Sequence, residues 1–249
     1  MDITIAHSSE QMASAAAAKA ASVLKETLQR SGRAVVVAAT GMSQVRMLEQ
    51  LTSEPGIDWP SVELFHLDEY IGVPETHPAS FRRYLRERFV ERVPGLLDFR
   101  AINGEADDPH EECLRLGELI RSRTVDLCLV GIGENGHLAF NDPPADFTTQ
   151  DPYLVVQLDE RCRRQQMGEG WFGSLDEVPP RAISMSVRQI LAAKVIVATI
   201  PDRRKAEAVK AAIEGVVTPT CPASALQEHG SCFTYLDADS ASLLSARIR

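Results

Sequence analysis

One short segment of the chain combines residue types that could carry out acid–base chemistry on a small ligand. The segment GIGENGHLAFNDPP (131–144) holds three glycines, one histidine and two carboxylates. His137 can shuttle a proton near neutral pH, and Asn135 and Asp142 can orient its ring. The glycines would let the backbone approach a ligand closely. The competing interpretation is a tight turn after a buried strand, with one structural histidine.

A second polar segment, HLDEY, carries two adjacent carboxylates, Asp68 and Glu69. Because side chains alternate along a strand, one carboxylate can face a cleft while the other points outward. A carboxylate held in a cleft could act as a general base. The alternative is a solvated or helix-capping pair without a catalytic role.

A third segment, ATGMSQ, joins a predicted strand to a predicted helix. Its turn can present backbone N–H groups, with the hydroxyls of Thr40 and Ser43, to an anion such as a phosphate. It matches neither the GxxxxGK[ST] nor the GxGxxG nucleotide-binding pattern. The alternative is an ordinary strand–helix turn in which Ser43 caps the helix.

The elements around these segments predict an α/β fold, because continuous apolar runs alternate with amphipathic helical patterns. We expect a single-domain, Rossmann-like three-layer sandwich with a mostly parallel central sheet. Residues 1–249 would form this domain, with a mobile, lid-like segment at about 142–180 that includes an exposed-looking Trp171–Phe172 pair. The predicted strands are RAVVVAATG, VELFHLDEY, VDLCLVGIG, 153–158, 182–187, 194–200 and CFTYLD, and the predicted helices are 11–30, 43–51, 80–93, 108–123 and 203–214.

The positions of the three polar segments favour one shared site. Ligands of open α/β sheets bind where the carboxyl ends of the strands meet. Each of the three segments follows a predicted strand, so we expect them to meet at one edge of the sheet.

Composition restricts the partners. The formal charge of −9 argues against nucleic acid and against an anionic membrane surface. An anionic small molecule remains compatible, since helix N-termini and local bases can bind one in an acidic protein. The N-terminus lacks the pattern of a secretory signal, and no apolar stretch is long enough to span a bilayer.

Cysteine and histidine spacing favours a reduced, cytoplasmic setting without a metal site. The five cysteines are an odd number and form no CxxC pair. HExxH is absent, and no second histidine or cysteine lies at ligand spacing from His137.

Five segments, taken in order, resemble the glucosamine-6-phosphate deaminase (isomerase) family, whose fold is shared with 6-phosphogluconolactonases. The resemblance covers nearly the whole chain, and its second and third segments are highly specific. GHLAFN is typical of the deaminase branch, since lactonases share the glycine–histidine turn but not AFN. The segments are ATGMS, LDEYIGVPETHPASFRRYL, VDLCLVGIGENGHLAFNDPP, RKAEAVKAAIEG and CPASALQEH.

The resemblance implies conversion of an amino-sugar 6-phosphate and water into fructose 6-phosphate and ammonia, without a metal or an organic cofactor. Asp68 matches the base that moves a proton from C2 to C1. His137 matches the residue that helps to open the pyranose ring, with Asn135 and Asp142 as its partners. Lys205 matches the lysine that pairs with the phosphate. The matching substrate- and phosphate-binding positions are Thr40, Gly41, Met42, Ser43, Gly131, Ile132, Gly133, Gln166 and Lys205.

Three positions depart from the family pattern. Asn135 stands where many members carry aspartate, and Asp142 is one methylene shorter than the usual glutamate. Gln166 stands where a second phosphate-binding arginine is expected. The segment of the allosteric site in hexameric members has no clear match, and the resemblance leaves a homo-oligomer open because the family includes monomers and hexamers. The nearby candidates to replace the arginine are Arg161, Arg163 and Arg164.

Two other functions compete with a deaminase. A 6-phosphogluconolactonase would also need a phosphate site and a histidine, but would use them for hydrolysis. A non-catalytic sugar-phosphate-binding regulator would need a DNA-binding domain or partner, and the sequence has no extra N-terminal segment of that kind.

Overall fold

A central parallel sheet organises the molecule. The structure is a computed structural model and describes residues 1–246. Seven strands pair in the order β1-β10-β9-β6-β2-β3-β5, and every pair between neighbours is parallel. The strands in this part of the chain are β1 (Asp2–Ala6), β2 (Ala34–Ala38), β3 (Val62–His66), β4 (Asp68–Tyr70), β5 (Asp98–Arg100), β6 (Leu127–Val130), β7 (Tyr153–Gln157), β8 (Arg181–Met185), β9 (Val195–Ile200) and β10 (Cys232–Asp237).

Helices pack against both faces of this sheet. They are α1 (Ser9–Ser31), α2 (Val45–Ser53), α3 (Phe81–Arg88), α4 (Pro109–Arg121), α5 (Glu160–Gly168), α6 (Val187–Leu191) and α7 (Ala206–Glu214). None of the helices within residues 1–246 combines the length and the apolar character needed to cross a bilayer.

The strand β2 shows why the sheet is covered on two sides. All five of its residues are buried. Val36 packs in the cluster that contains α1 and α2, whereas Val35 and Val37 pack in the cluster that contains α4 and α7. A strand buried on both faces must be apolar throughout, as AVVVA is. The predicted α/β fold with a mostly parallel sheet is therefore confirmed.

The prediction of one continuous strand over VELFHLDEY is wrong. β3 ends at His66, Leu67 bridges the two sheets, and β4 belongs to a three-stranded antiparallel sheet with order β4-β8-β7. Leu67 donates its N–H to the Ala38 carbonyl of the main sheet and accepts from the Met185 N–H of the small one. This change of sheet carries Asp68 beyond the carboxyl ends of the parallel strands.

Other boundaries also differ from the prediction. The strands β1 and β5 were not predicted: both lie at sheet edges, and each is partly exposed, so neither has a continuous apolar run. The helix predicted over 80–93 ends at Arg88 and continues as a 3₁₀ turn over Val90–Arg92. The helix predicted over 203–214 starts with a 3₁₀ turn, Arg203–Lys205, before α7.

Candidate active site

One cavity of about 390 Å³ lies over the carboxyl ends of the parallel strands. Segments that follow β2, β3, β6, β9 and β10 all line it. From β2 the chain crosses to β3 on one side, and from β6 it crosses to β9 on the other side. This reversal of direction opens a crevice at the edge where ligands of such sheets bind. The three polar segments singled out in the sequence meet here.

The segment after β2, residues 40–43, forms a loop that we call the anion loop. Gly41 has a φ of +91°, a left-handed conformation that disfavours other residues. The Tyr84 hydroxyl donates to the Gly41 carbonyl at 2.9 Å and supports the loop from α3. Ser43 does not cap α2, because Gln44 occupies the cap position and makes no side-chain cap bond. All four predicted loop residues, Thr40, Gly41, Met42 and Ser43, line the cavity.

Lys205 enters the cavity from the turn after β9. The side chain is buried, and within residues 1–246 it forms neither an ion pair nor a hydrogen bond. Burial lowers its pKa from the ordinary value, while nearby Glu169 acts in the opposite direction. A buried cation without a partner that faces a cavity is suited to an anionic ligand.

Two further cations at this end of the cavity were missed in the sequence, Arg46 and Arg204. Arg204 pairs with Asp202 at 2.8 Å and lies 3.5 Å from Glu134. Its position directly before Lys205 was the only available signal. Arg46 lies on the first turn of α2, next to the anion loop. A basic residue is ordinary in an amphipathic helical pattern, so the sequence did not distinguish it as a site residue.

Asp68 and Glu69 are neighbours in sequence, but their carboxylates lie in different surroundings. Asp68 lines the cavity, and no hydrogen bond reaches its carboxylate from the residues that the structure describes. Burial, together with the charge of Glu69, raises the pKa of Asp68 to about 8. A desolvated carboxylate of this kind is a strong base when it is ionised.

Glu69 is buried rather than outward-facing, so the prediction of an exposed partner is wrong. Its oxygens accept from the N–H groups of Tyr70, Phe81 and Arg82 and from the Ser80 hydroxyl. Burial raises its pKa to about 7, while these donors and the Arg82 charge oppose that rise. Glu69 therefore ties β4 to the start of α3, which is the helix-capping role left open for one member of the pair.

His137 is fixed by a closed set of hydrogen bonds. Its Nδ1 lies 3.2 Å from Asp142 Oδ1, and its backbone N–H donates to Asn135 Oδ1 at 3.0 Å. Asn135 Nδ2 donates to Asp142 at 2.8 Å and to Asp159 at 3.0 Å. Asn135 and Asp142 lie behind the histidine and do not line the cavity, so they can act only through His137.

Asp142 also joins this relay to α5. Its second oxygen accepts the Asp159 N–H at 2.8 Å. Burial would raise the pKa of Asp142, but the bonds from His137, Asn135 and Asp159 outweigh it, so the pKa lies below its usual value. Cys162 completes a group with His137 and Asp142 whose potential ligand atoms lie within 4.8 Å of one another. The hydrogen bonds of Asp142 account for this cluster without a cation.

Gly133 is required by the position of the histidine ring. A Cβ built at this glycine would overlap His137 Cε1, Nε2 and Cδ2. The Gly133 N–H also donates to the carbonyl of the same histidine at 3.0 Å. Gly131, Ile132 and Gly133 all line the cavity, so the segment is both a turn and a wall of the site.

Gln166 lines the cavity, but the three arginines proposed to replace its missing charge do not. The Gln166 Oε1 accepts the Tyr70 hydroxyl at 2.7 Å. Arg163 donates to the carbonyls of Leu175 and Val178, and Arg164 pairs with Glu160 at the surface. The expectation that Arg161, Arg163 or Arg164 compensates is therefore wrong; Arg46 and Arg204 are the arginines at the cavity.

The Trp171–Phe172 pair is less exposed than its sequence suggested. Phe172 is buried and packs edge-on against Tyr70 at 5.4 Å between ring centroids, and it stacks on His77. Trp171 packs beside the same small cluster and is half-buried. Phe172 therefore belongs to a buried core patch.

Comparison with known proteins places the chain in a family. The family model of glucosamine-6-phosphate isomerases and 6-phosphogluconolactonases matches residues 7–234. The chain belongs to this family. A glucosamine-6-phosphate deaminase of Exiguobacterium sibiricum is 35% identical over 224 residues, which cover 90% of this chain and 86% of the relative. The family expected from the sequence motifs is confirmed.

Solved structures agree with this membership. A monomeric glucosamine-6-phosphate deaminase superimposes with a TM-score of 0.89 at 32% identity, covering 98% of this chain and 100% of the other. A 6-phosphogluconolactonase from Trypanosoma brucei gives a TM-score of 0.81 at 15% identity, with 98% of each chain covered. The second similarity shows the shared fold alone, whereas the first extends to sequence.

Proposed function

We propose that this protein converts glucosamine 6-phosphate and water into fructose 6-phosphate and ammonia. The observation that carries the proposal is one cavity that joins an unpartnered carboxylate, Asp68, a fixed imidazole, His137, and an unpaired buried cation, Lys205. Relatives named glucosamine-6-phosphate deaminase support the same substrate.

The anion loop and Lys205 would anchor the phosphate. Backbone N–H groups of the loop and the Lys205 ammonium would share its charge, with Arg204 and Arg46 at the same end. Anchoring the substrate far from C1 and C2 lets binding energy orient the reacting carbons. The uncharged carboxamide of Gln166 would add a contact but no charge.

At the other end of the cavity, His137 and Asp68 would move the protons. His137 would transfer a proton to the ring oxygen, and Asp142 and Asn135 would hold its ring in place. Asp68 would then take the C2 proton of the open-chain sugar and return it to C1. The C2 nitrogen becomes an iminium, water adds to C2, and ammonia leaves. We assign no metal or organic cofactor to these steps.

The direct test is turnover by the purified chain. Glucosamine 6-phosphate should yield ammonia and fructose 6-phosphate in equal amounts, and glucosamine without the phosphate should react far more slowly. A second arm uses 6-phosphogluconolactone. Hydrolysis above background that His137→Ala abolishes, with no ammonia from the amino sugar, would replace the deaminase by a lactonase.

Two further assignments complete the proposal, and one property is left to measurement. The protein would act in the cytoplasm, in keeping with five free thiols among the described residues. Residues 1–249 would work as one domain, with the segment 142–180 covering the cavity through α5. The oligomeric state, including a homo-oligomer, would be determined by light scattering of the purified chain.

A further inference from the structure

Glu169, a residue that the proposed reaction does not use, lies at the anion loop. It caps the C-terminus of α5 directly after Gly168, and its backbone N–H donates to the Gln165 carbonyl at 3.0 Å. Its side chain lines the cavity. The Oε2 atom accepts the Met42 N–H of the anion loop at 3.5 Å.

The carboxylate also faces the preceding residue of the loop, Gly41. A Cβ built on Gly41 would lie 3.6 Å from Glu169 Oε2, so a side chain at this position would be in van der Waals contact with the carboxylate. The Oε1 atom is held by Gln165 Nε2 at 3.2 Å. A negative group therefore occupies the place where the loop N–H groups would meet a phosphate.

The charges around Glu169 support the same interpretation. Its carboxylate favours the charged form of buried Lys205 and also that of Arg204. Glu169 therefore partly neutralises the cations that a phosphate would use. Two like charges that compete for the same N–H groups repel each other, and the repulsion grows as burial lowers the effective dielectric constant.

We propose that Glu169 is a resident anion, which occupies the anion loop in the free protein and is displaced by the substrate phosphate. It thereby sets the affinity for phosphorylated ligands and makes their binding move the end of α5. The inference rests on the phosphate-anchoring role of the loop in the proposed function. Glycines flank Glu169 on both sides, and Gly168 and Gly170 have no neighbour within 4 Å of a built Cβ.

The test compares two variants that remove one negative charge each. Glu169→Gln keeps the size of the side chain but removes its charge at the loop. Glu134→Gln removes a negative charge beside the same two cations, since Glu134 lies 3.5 Å from Arg204 and also favours the charged form of Lys205. Glu134 does not line the cavity, and within residues 1–246 its hydrogen bond and ion pair go to Gln165 and Arg204 rather than to the anion loop. Inorganic phosphate is the probe, and its binding is measured by calorimetry.

We expect Glu169→Gln to tighten phosphate binding about ten-fold, because the competing charge at the loop is removed. Glu134→Gln should change the affinity less than about three-fold. Equal gains in both variants would assign the effect to general charge and overturn the resident-anion role. An unchanged affinity in Glu169→Gln would overturn it as well. Absence of phosphate binding in the parent and both variants would remove the competition altogether and sink the inference.

A second measurement reports the displacement itself. Trp171 lies two residues beyond Glu169, and the only other tryptophan, Trp59, is buried away from the cavity. Phosphate should change the tryptophan emission of the parent along the calorimetric binding curve. Binding without any change in emission would contradict displacement. The ammonia assay is independent of both readouts, so an active enzyme with unaltered phosphate affinity in Glu169→Gln would disprove this inference and leave the proposed function intact.

Discussion

The two ends of the cavity are built on different principles. At the proton-transfer end, which comprises Asp68, His137 and the partners of His137, the histidine is fixed by a closed network of hydrogen bonds. The anion end comprises the anion loop, Lys205, Arg204 and Glu169. Arg204 pairs with Asp202, but within residues 1–246 the Lys205 ammonium has no hydrogen bond or ion pair, and Glu169 reaches the loop only through a contact of 3.5 Å.

This difference follows from what each end would have to do. Groups that transfer protons must be within about half an ångström of their place, and buried hydrogen bonds provide that precision for His137. A group that binds a dianion must exchange its partner on every cycle, so a saturated network there would oppose the substrate. The comparison therefore predicts that changes at the proton-transfer end affect kcat and changes at the anion end affect KM.

The largest expected effect is that of Asp68→Asn. An amide cannot take the C2 proton, so kcat should fall by about 10²- to 10⁴-fold, the usual contribution of a positioned general base. KM should change little, because Asp68 has no part in the proposed anchoring of the phosphate. Thermal unfolding should show no loss of stability, since no hydrogen bond reaches this carboxylate within residues 1–246. A variant with more than a tenth of the parent kcat would remove Asp68 from the mechanism.

The next effect tests the placement of His137 without changing its chemistry. In Gly133→Ala, the added methyl group would overlap the imidazole and force it to move. We expect kcat to fall by about 10²-fold, as ångström-scale misplacement does in other sites. Gly230→Ala is the control, since a Cβ there has nothing within 4 Å. Equal activities in the two variants would show that the ring position is not critical.

A smaller effect, in the other kinetic constant, is expected for Lys205→Met. Loss of a charged hydrogen bond of about 1.5–3 kcal/mol should raise KM by about 10- to 100-fold while kcat falls much less. Lys210→Met, five residues further on and exposed, is the matched control. A fall in kcat with an unchanged KM would contradict the division of the cavity into two ends.

The sequence predicted the proton-transfer end better than the anion end. Asp68 and His137 follow strands, and their local segments carry specific motifs, so local order placed them at the correct edge. Glu169 reaches Met42 across 127 positions of sequence. Its place depends on how α5 packs over the sheet, which no local pattern encodes.

The fold shows the same limit. The buried strand β2 was predicted because burial on both faces makes its sequence continuously apolar. The change of sheet at Leu67 was not predicted, since VELFHLDEY was interpreted as one strand with a charged end and only the backbone partners of Leu67 reveal the break. That break places Asp68 in the cavity, so the sequence identified the residue while the reason for its position came from tertiary structure.

The smallest expected effect on activity is a pH dependence that only the proton-transfer end should show. Burial and the neighbouring charge of Glu69 raise the pKa of Asp68 to about 8. A base must be ionised, so kcat/KM should fall as the pH drops through this value, by about five-fold between pH 8 and pH 7.

The sign for stability is the reverse: a raised carboxyl pKa favours the folded state at low pH, and that contribution is lost as the pH rises through 8. The unfolding free energy of the parent should therefore decline relative to Asp68→Asn between pH 4 and pH 8. Asp142, whose pKa is lowered, is ionised throughout and cannot produce this limb. Two results together would contradict this prediction: a flat kcat/KM from pH 6.5 to 8.5, and parallel stability curves for the parent and Asp68→Asn. Asp68 would then not be the desolvated base, and the proposed difference between the two ends of the cavity would not hold for this residue.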